Sequence, residues 1–217
     1  MELPISDRTA AGQALAEALN KYQERADVIV LALPRGGLPV ALEVAKALNA
    51  SLDLMLVRKL GTPGQKELAM GAIASGGSKV MNQEIVHSLG ISPEAIEQVI
   101  EEETKELKRR ERYYRGERPW PKLADQCVIL VDDGLATGAT MRAAIDAVRD
   151  QQPARIVVAV PVAPMRTIAM LRKVADEVIC LAEPEPFIAI GQWYLDFSQV
   201  SDEEVVSILN EVWGENS

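Results

Sequence analysis

The stretch Val128 to Thr140, VILVDDGLATGAT, holds the residue types best suited to chemistry. Its aliphatic start reads as a buried strand that delivers two adjacent carboxylates, Asp132 and Asp133, to its C-terminal end. A loop of small residues follows and opens into a helical pattern. Backbone N–H groups of Ala136, Thr137, Gly138, Ala139 and Thr140, beside a helix N-terminus, can cradle a phosphate, and the threonine hydroxyls add donors. Gly138 lets the backbone approach closely. Carboxylates do not coordinate that phosphate, but a short distance away they can accept hydrogen bonds from vicinal sugar hydroxyls and engage Mg²⁺ directly or through water. A phosphorylated sugar suits both halves. A P-loop is excluded by residue type, because no lysine precedes the threonine. A receiver-type acidic pocket would place its pair near the first strand, and here the pair follows a later one. A capped turn with exposed aspartates is the bland alternative.

A net charge of −9 means that any anionic ligand must be met by local cations. The candidates are Arg35, Arg58, Lys59 and Lys66. Arg35 stands in LALPRGGLPVA, where Gly36 and Gly37 would permit an unusual backbone and exposed N–H groups at a helix start; a plain tight turn is the alternative. Arg58 and Lys59 end an apolar run, where cations are also common as plain surface residues. Four of the nine aromatic residues fall within 187–197, FIAIGQWYLDF, which suits a stacking or lid role and equally a packing role. His87, the single histidine, lies outside these segments and reads as structural.

The 128–140 stretch resembles the signature with which type I phosphoribosyltransferases bind 5-phosphoribosyl-1-diphosphate (PRPP). By that resemblance Asp132 and Asp133 hold the ribose 2′- and 3′-hydroxyls, and Ala136 through Thr140 bind the 5-phosphate. The segment around Arg35 resembles the diphosphate loop of xanthine-type members, with Arg35, Gly36 and Gly37 at the diphosphate. Arg58-Lys59 is similar to the Arg-Lys pair of orotate-type members, which faces the leaving diphosphate, and the Gly61-Pro63-Gly64 segment resembles their catalytic flap, carrying Lys66. Residues 187–197 resemble the hood of hypoxanthine-guanine enzymes, which implies Phe187 and Trp193 at the base and Asp196 near Mg²⁺ with Asp132 and Asp133. Two extra residues in the hood, and the lack of a counterpart to the lysine that reads the purine, leave the acceptor base open. Ala136 occupies the position where purine enzymes carry an acidic residue, so no general base comes from there; adenine- and orotate-type members, which catalyse transfer, lack that residue too. The resemblance implies a Mg²⁺-dependent transfer from PRPP to a nucleobase-like acceptor in a homodimer. A PRPP-binding regulator with the same fold and no turnover is the rival.

Elements able to position these residues can be read along the chain. A helix over 8–22 precedes a strand, ADVIVLAL, then the helical pattern from Val40 to Leu48, a second strand LDLMLV, and a mobile Gly/Pro loop. A hairpin is expected within 68–82 around Gly76-Gly77, then a long helix from Ser92-Pro93 to about Tyr114. Ile96, Val99, Ile100 and Leu107 give that helix a partial apolar stripe, and its many charges, including the pairs Glu101/Lys105 and Glu106/Arg110, read as a solvated face with no function. After a linker, CVILV, a helix over 140–150, RIVVAVPV, a helix over 165–175 and EVICL alternate. Continuous apolar strands between helices imply an α/β class with a doubly wound, mainly parallel sheet. The expected layout is one domain over 1–217, with a helical insertion at about 83–116, a flexible loop or hairpin, and a small C-terminal hood at about 184–217.

Composition, 48% hydrophobic and 25% charged, fits a chain with a sizeable core. The acidic balance argues against general binding of nucleic acid or membrane surface. Cys127 and Cys180 read as buried strand residues without metal or redox spacing. With no basic-then-apolar start and no long apolar run, a cytoplasmic location is expected.

Overall fold

The computed structural model describes residues 3–214; the outermost residues of the expected domain and hood, 1–2 and 215–217, lie outside them. Helix α1 (Arg8–Ala18) is capped by the Asp7 carboxylate, which accepts the Ala10 N–H at 2.8 Å, and runs into a single 3-10 turn, Asn20–Tyr22. Strand β1 (Val28–Ala32), helix α2 (Gly37–Leu48) and strand β2 (Ser51–Leu54) form the first strand–helix–strand unit. Strands β3 (Val57–Thr62), β4 (Gln65–Ala74) and β5 (Ser78–Met81) follow, then α3 (Gln83–Ser88) and α4 (Pro93–Arg115). Alternation resumes with β6 (Cys127–Val131), α5 (Ala139–Arg149), β7 (Arg155–Val162), α6 (Met165–Leu171) and β8 (Glu177–Ala182). A 3-10 turn, Ile190–Trp193, and α7 (Asp202–Gly214) close the described chain.

Five strands pair in parallel in the order β2-β1-β6-β7-β8. Alternation along each strand explains the uninterrupted apolar runs. Val30, Ala32, Ile129 and Val131 pack on the side of α1 and α2, while Ile29, Leu31, Val128 and Leu130 pack on the side of α5 and α6. A strand covered on both faces has no position left for a polar side chain. From β1 the chain steps outward to β2, and from β6 it steps the opposite way to β7 and β8. The adjacent C-terminal ends of β1 and β6 are therefore the switch point of the sheet, where crevices for ligands form.

The run LDLMLV does not form a single strand. β2 stops at Leu54; Met55 still donates to Ala32 O at 2.8 Å, but Leu56 is captured by Ser75, donating to its Oγ at 3.2 Å and accepting its N–H at 2.9 Å. Both residues at the break are buried apolar, so hydrophobic pattern carries no mark of it. The Gly/Pro segment expected as a mobile loop is a tight turn of an antiparallel three-stranded sheet, β3-β4-β5. Gly61 is needed because a Cβ would lie 2.5 Å from Lys66 O, and Gly64 adopts φ 78° at the turn. The expected 75–77 turn joins β4 to β5.

Helix α4 runs from the Ser92 cap and Pro93 to Gly116, whose φ is 59°. Its apolar stripe packs inward as the spacing predicts, with Ile96, Val99 and Ile100 against the core cluster. Leu107 and Tyr114 are buried in the core, and Arg115 makes a buried ion pair with Asp53 at 2.8 Å. Glu101–Lys105 and Glu106–Arg110 pair as the spacing predicts. Cys127 is buried, whereas Cys180 is half-buried, because β8 is an edge strand. Among the described residues no helix is long and apolar enough to cross a membrane.

Candidate functional site

The two loops rise side by side from the switch point. Ala32 pairs with Val131 across the ladder, and Leu33 N–H donates to Val131 O at 2.9 Å before the chain turns through Pro34, Arg35 and Gly36; the Pro34–Arg35 peptide is cis. Gly36 and Gly37 do not adopt the left-handed backbone that their type allows; Gly36 has φ −61°. Their requirement is space. A Cβ on Gly36 would lie 1.9 Å from Asp133 Oδ2, and one on Gly37 would lie 2.8 Å from Val131 O. The glycine pair lets the Arg35 loop press against the two carboxylates.

Asp132 and Asp133 are held differently. Asp132 Oδ1 accepts the Asp133 N–H at 2.9 Å. Asp133 Oδ2 accepts from Arg8 Nε at 2.8 Å and pairs with the other branch of the same guanidinium at 2.8 Å, with both side chains nearly buried. Its carbonyl oxygen accepts the Tyr194 hydroxyl at 2.7 Å. Loss of water pushes Asp132 well above the usual carboxylate range, and the Asp133 charge adds to this. Burial also raises Asp133, against the pull of Arg8. The Tyr194 hydroxyl is raised by burial first and then by Asp133.

Arg8 and Tyr194 arrive together because the N-terminal segment runs along the stretch before α7. Ile5 N–H donates to Trp193 O at 2.8 Å, Leu195 N–H to Ile5 O at 2.7 Å, and Asp196 N–H to Ser6 O at 2.9 Å. Arg8 also lies 4.1 Å over the Phe197 ring and donates to Ser198 O at 2.7 Å. Sequence reasoning missed this clamp, since Arg8 lies 125 positions from Asp133 in a helix start with no motif.

The loop from Gly134 to Gly138 is anchored at both ends. Leu135 N–H donates to Val162 O at 3.0 Å, and Thr167 Oγ donates to Ala136 O at 2.7 Å. Gly138 has φ 73° and caps α5, and a Cβ there would meet Thr167 at 2.7 Å. Ala136, Thr137, Ala139 and Thr140 are left exposed at the helix start.

Arg58 and Lys59, neighbours on β3, point to opposite faces. Arg58 lines a cavity of about 390 Å³ with Arg35, Thr140 and residues of α4, and pairs with Glu103 at 2.5 Å. Lys59 is exposed on the other face, in a cleft that Thr137, Ala139 and Arg142 also line. Lys66 is exposed on β4 and lines neither. Arg35 lies 3.7 Å from Asp202 at the start of α7, and Asp202 also accepts a hydrogen bond from the Tyr114 hydroxyl. Burial and then Asp202 raise that hydroxyl to about 12, while Arg110 and Arg35 oppose the rise.

Phe187 and Trp193 lie with ring centroids 6.0 Å apart and pack on the core cluster beneath them. Ile190 between them reaches the Asp132 loop, where its Cγ2 lies 2.6 Å from the site of a Cβ on Gly134. Asp196 is exposed and accepts from Ser198 N–H at 2.9 Å, which holds its carboxyl below the usual range. His87 is exposed on α3.

Among the described residues no three acidic, imidazole or thiol groups gather closely enough to cage a metal, so Asp196 does not complete a set with Asp132 and Asp133. Two carboxylates without a cage suit Mg²⁺, which dehydrates reluctantly and takes most of its ligands from water and substrate phosphates.

Comparison with known proteins agrees with this geometry. The family model for the phosphoribosyl transferase domain matches residues 5–197. A protein of Mycobacterium tuberculosis strain CDC 1551 / Oshkosh, named "Putative phosphoribosyl transferase", is 46% identical over 207 residues, covering 95% of this chain and 46% of its own length. Its counterpart in strain H37Rv gives the same figures. The chain thus spans about half the length of the curated relatives it matches. The crystal structure of TT1426 from Thermus thermophilus superposes with a TM-score of 0.85 at 42% identity, over 95% of this chain and 98% of that one. With a family match that runs from the Arg8 segment through both switch-point loops to Phe197, the chain belongs to the phosphoribosyl transferase domain family.

Proposed function

We propose that this domain binds PRPP with Mg²⁺ and transfers its 5-phosphoribosyl group to a nitrogenous base, releasing diphosphate. The observation that carries the reading is the contact of the two switch-point loops, with Gly36 packed where any side chain would strike Asp133. A cation loop and a carboxylate pair so close suit a ligand with a diphosphate at one end of a ribose. Family membership supports a transferase.

In this reading Asp132 and Asp133 accept the ribose 2′- and 3′-hydroxyls, with Arg8 and Tyr194 holding Asp133 in place. The N–H groups of Ala136 to Thr140 and the threonine hydroxyls bind the 5-phosphate, and Lys59 flanks that end from its own cleft. Arg35 and Arg58 face the diphosphate. Asp132 and Asp133 would be the residues that hold Mg²⁺, and the ion would supply charge neutralisation at the leaving group. As the C1–O bond breaks, its electron pair leaves with the diphosphate, and the acceptor nitrogen forms the new C1–N bond. The proton released from nitrogen goes to solvent, since Ala136 offers no base. Phe187 and Trp193 stand on the hood side, where the base would stack.

Titration calorimetry with PRPP and Mg²⁺, followed by diphosphate release across a panel of bases, tests the reading. Asp132→Asn with Asp133→Asn should weaken PRPP binding about 100-fold or more, because each hydrogen bond to a charged group is worth roughly 1.5–3 kcal/mol. Absence of PRPP binding by the native chain sinks the proposal. Binding without turnover by any base would favour a regulator that senses PRPP, the reading that Ala136 keeps open.

A further inference from the structure

Helix α4 brings a second set of cations to the cavity that holds Arg35 and Arg58. Leu107, Arg110 and Tyr114 follow one another at helical spacing along its inner stripe, and Arg109 and Tyr113 flank it; all five line the cavity of about 390 Å³. The opposite wall is Leu33 to Arg35, Met55 to Arg58 and Thr140. Asp202 of α7 completes the lining, and no residue of 187–197, where Phe187 and Trp193 stand, takes part, so the cavity is set apart from those aromatics and is built around Arg35 and Arg58.

Charge at this cavity is opposite in sign to the chain as a whole. Arg35, Arg58, Arg109 and Arg110 face three carboxylates: Asp202 at 3.7 Å from Arg35, Glu103 at 2.5 Å from Arg58, and Glu106, shared by Arg109 at 2.7 Å and Arg110 at 2.8 Å. One carboxylate between two guanidiniums leaves donors over. Arg110, Arg35, Tyr114 and Asp202 all line this cavity, so cations from α4 and from the β1 loop face one space. Lys105 and Arg112 of α4 line no part of this cavity, and their side chains are 72% and 82% exposed.

We infer that Arg109 and Arg110, with the Tyr113 hydroxyl, complete the diphosphate-binding face begun by Arg35 and Arg58, so that α4 is part of the substrate site. The inference rests on the PRPP reading above and adds an element that the switch-point loops do not supply. A diphosphate is a multiply charged, multi-oxygen anion, and guanidiniums bind such groups through forked donors. The space is in the range of small-ligand pockets.

The test compares Arg109→Gln/Arg110→Gln with the native chain by calorimetry in the presence of Mg²⁺, using PRPP, inorganic diphosphate and ribose 5-phosphate. Affinity for PRPP and for diphosphate should fall about tenfold or more, with ribose 5-phosphate unchanged within about twofold. Lys105→Gln/Arg112→Gln removes the same charge from the outer face and should change none of the three. Unchanged PRPP and diphosphate affinity in the inner-face variant overturns the inference while leaving PRPP binding intact. Equal loss for ribose 5-phosphate, or equal loss in the outer-face variant, also overturns it, as disturbance of the helix or of the general field. A native chain that binds no PRPP at all brings down the PRPP reading itself, and this inference with it.

Discussion

The acidic and basic halves of the site are organised in opposite ways. Asp132 and Asp133 are adjacent residues at the end of one buried strand, crowded together and raised by loss of water, with Arg8 as their cation. The basic half draws Arg35, Arg58, Arg109 and Arg110 from three separate segments, each guanidinium resting against a carboxylate at a part-exposed position. The acidic half is preorganised at a cost in stability that bound hydroxyls and a cation would offset. Under the proposed reading, the basic half would be held in reserve by internal anions that the diphosphate displaces.

If that contrast holds, removing the clamp from the acidic half should have the largest effect on the unliganded protein. Arg8→Met keeps the aliphatic bulk but leaves Asp133 as an uncompensated buried charge beside Asp132. Loss of one partner from a buried pair should cost about 3 kcal/mol, roughly 6–12 °C in Tm for a domain of this size. The pH dependence has a definite sign. Asp133 already titrates above its ordinary value of 3.8, and without Arg8 it would rise further. A raised carboxylate contributes stability in acid and loses it as pH climbs through the folded-state value, so the deficit should grow as pH rises and shrink toward pH 4. Thermal melts across that range check it, and a variant as stable as the native chain at pH 7 would break the contrast.

A smaller effect of the opposite sign should come from Asp132→Asn. The amide oxygen can still accept the Asp133 N–H, while the charge that burial and Asp133 both disfavour is removed. Stability should rise by about 1 kcal/mol at pH 7, or roughly 2–4 °C in Tm. The sign follows from linkage: native Asp132 is raised, so its ionised form is what destabilises the fold, and the gain should vanish as pH falls and the native residue protonates. Such a gain in stability with a loss of PRPP binding would mark Asp132 as a residue kept for function. A variant less stable at pH 7 would show instead that its carboxylate serves the fold.

These halves also differed in how far they were legible in the sequence. Strand, carboxylates, glycine and helix start at 128–140 are contiguous, and local order alone places them, as it does the Arg35 loop after β1. What the glycines at 36 and 37 do was not legible, because they make room for Asp133 and for Val131 and Asp132, residues almost a hundred positions away. In the basic half the pattern is silent on geometry. Met55-Leu56 conceals a break between two sheets, so Arg58 and Lys59 appear as one strand end when they face different cavities. Gly61, Pro63 and Gly64 suit a mobile loop and a tight hairpin turn alike. Glu106, Arg109 and Arg110 satisfy the rule for a solvated helix pair even though the two arginines border a cavity. Arg8 carried no signal, since its partner is set by the pairing of the N-terminal segment with residues 193–196.

The smallest expected effect tests the reserve in the basic half. Asp202 lies 3.7 Å from Arg35, with the side chains 47% and 36% exposed, and it accepts the Tyr114 hydroxyl. Asp202→Asn keeps an acceptor for that hydroxyl and removes the competing anion. Exposed ion pairs contribute roughly 0–1 kcal/mol, so diphosphate and PRPP should bind up to about fivefold more tightly. Loss of an acidic residue from the first turn of α7 should cost about 0.3–1 kcal/mol of stability. Because the pair is part-exposed, the gain in affinity should be largest at low ionic strength and fade as salt screens it. Weaker binding at every salt concentration would show that Asp202 orients Arg35 for the ligand and does not compete with it. The basic half would then be as preorganised as the acidic one, and the difference between them would disappear.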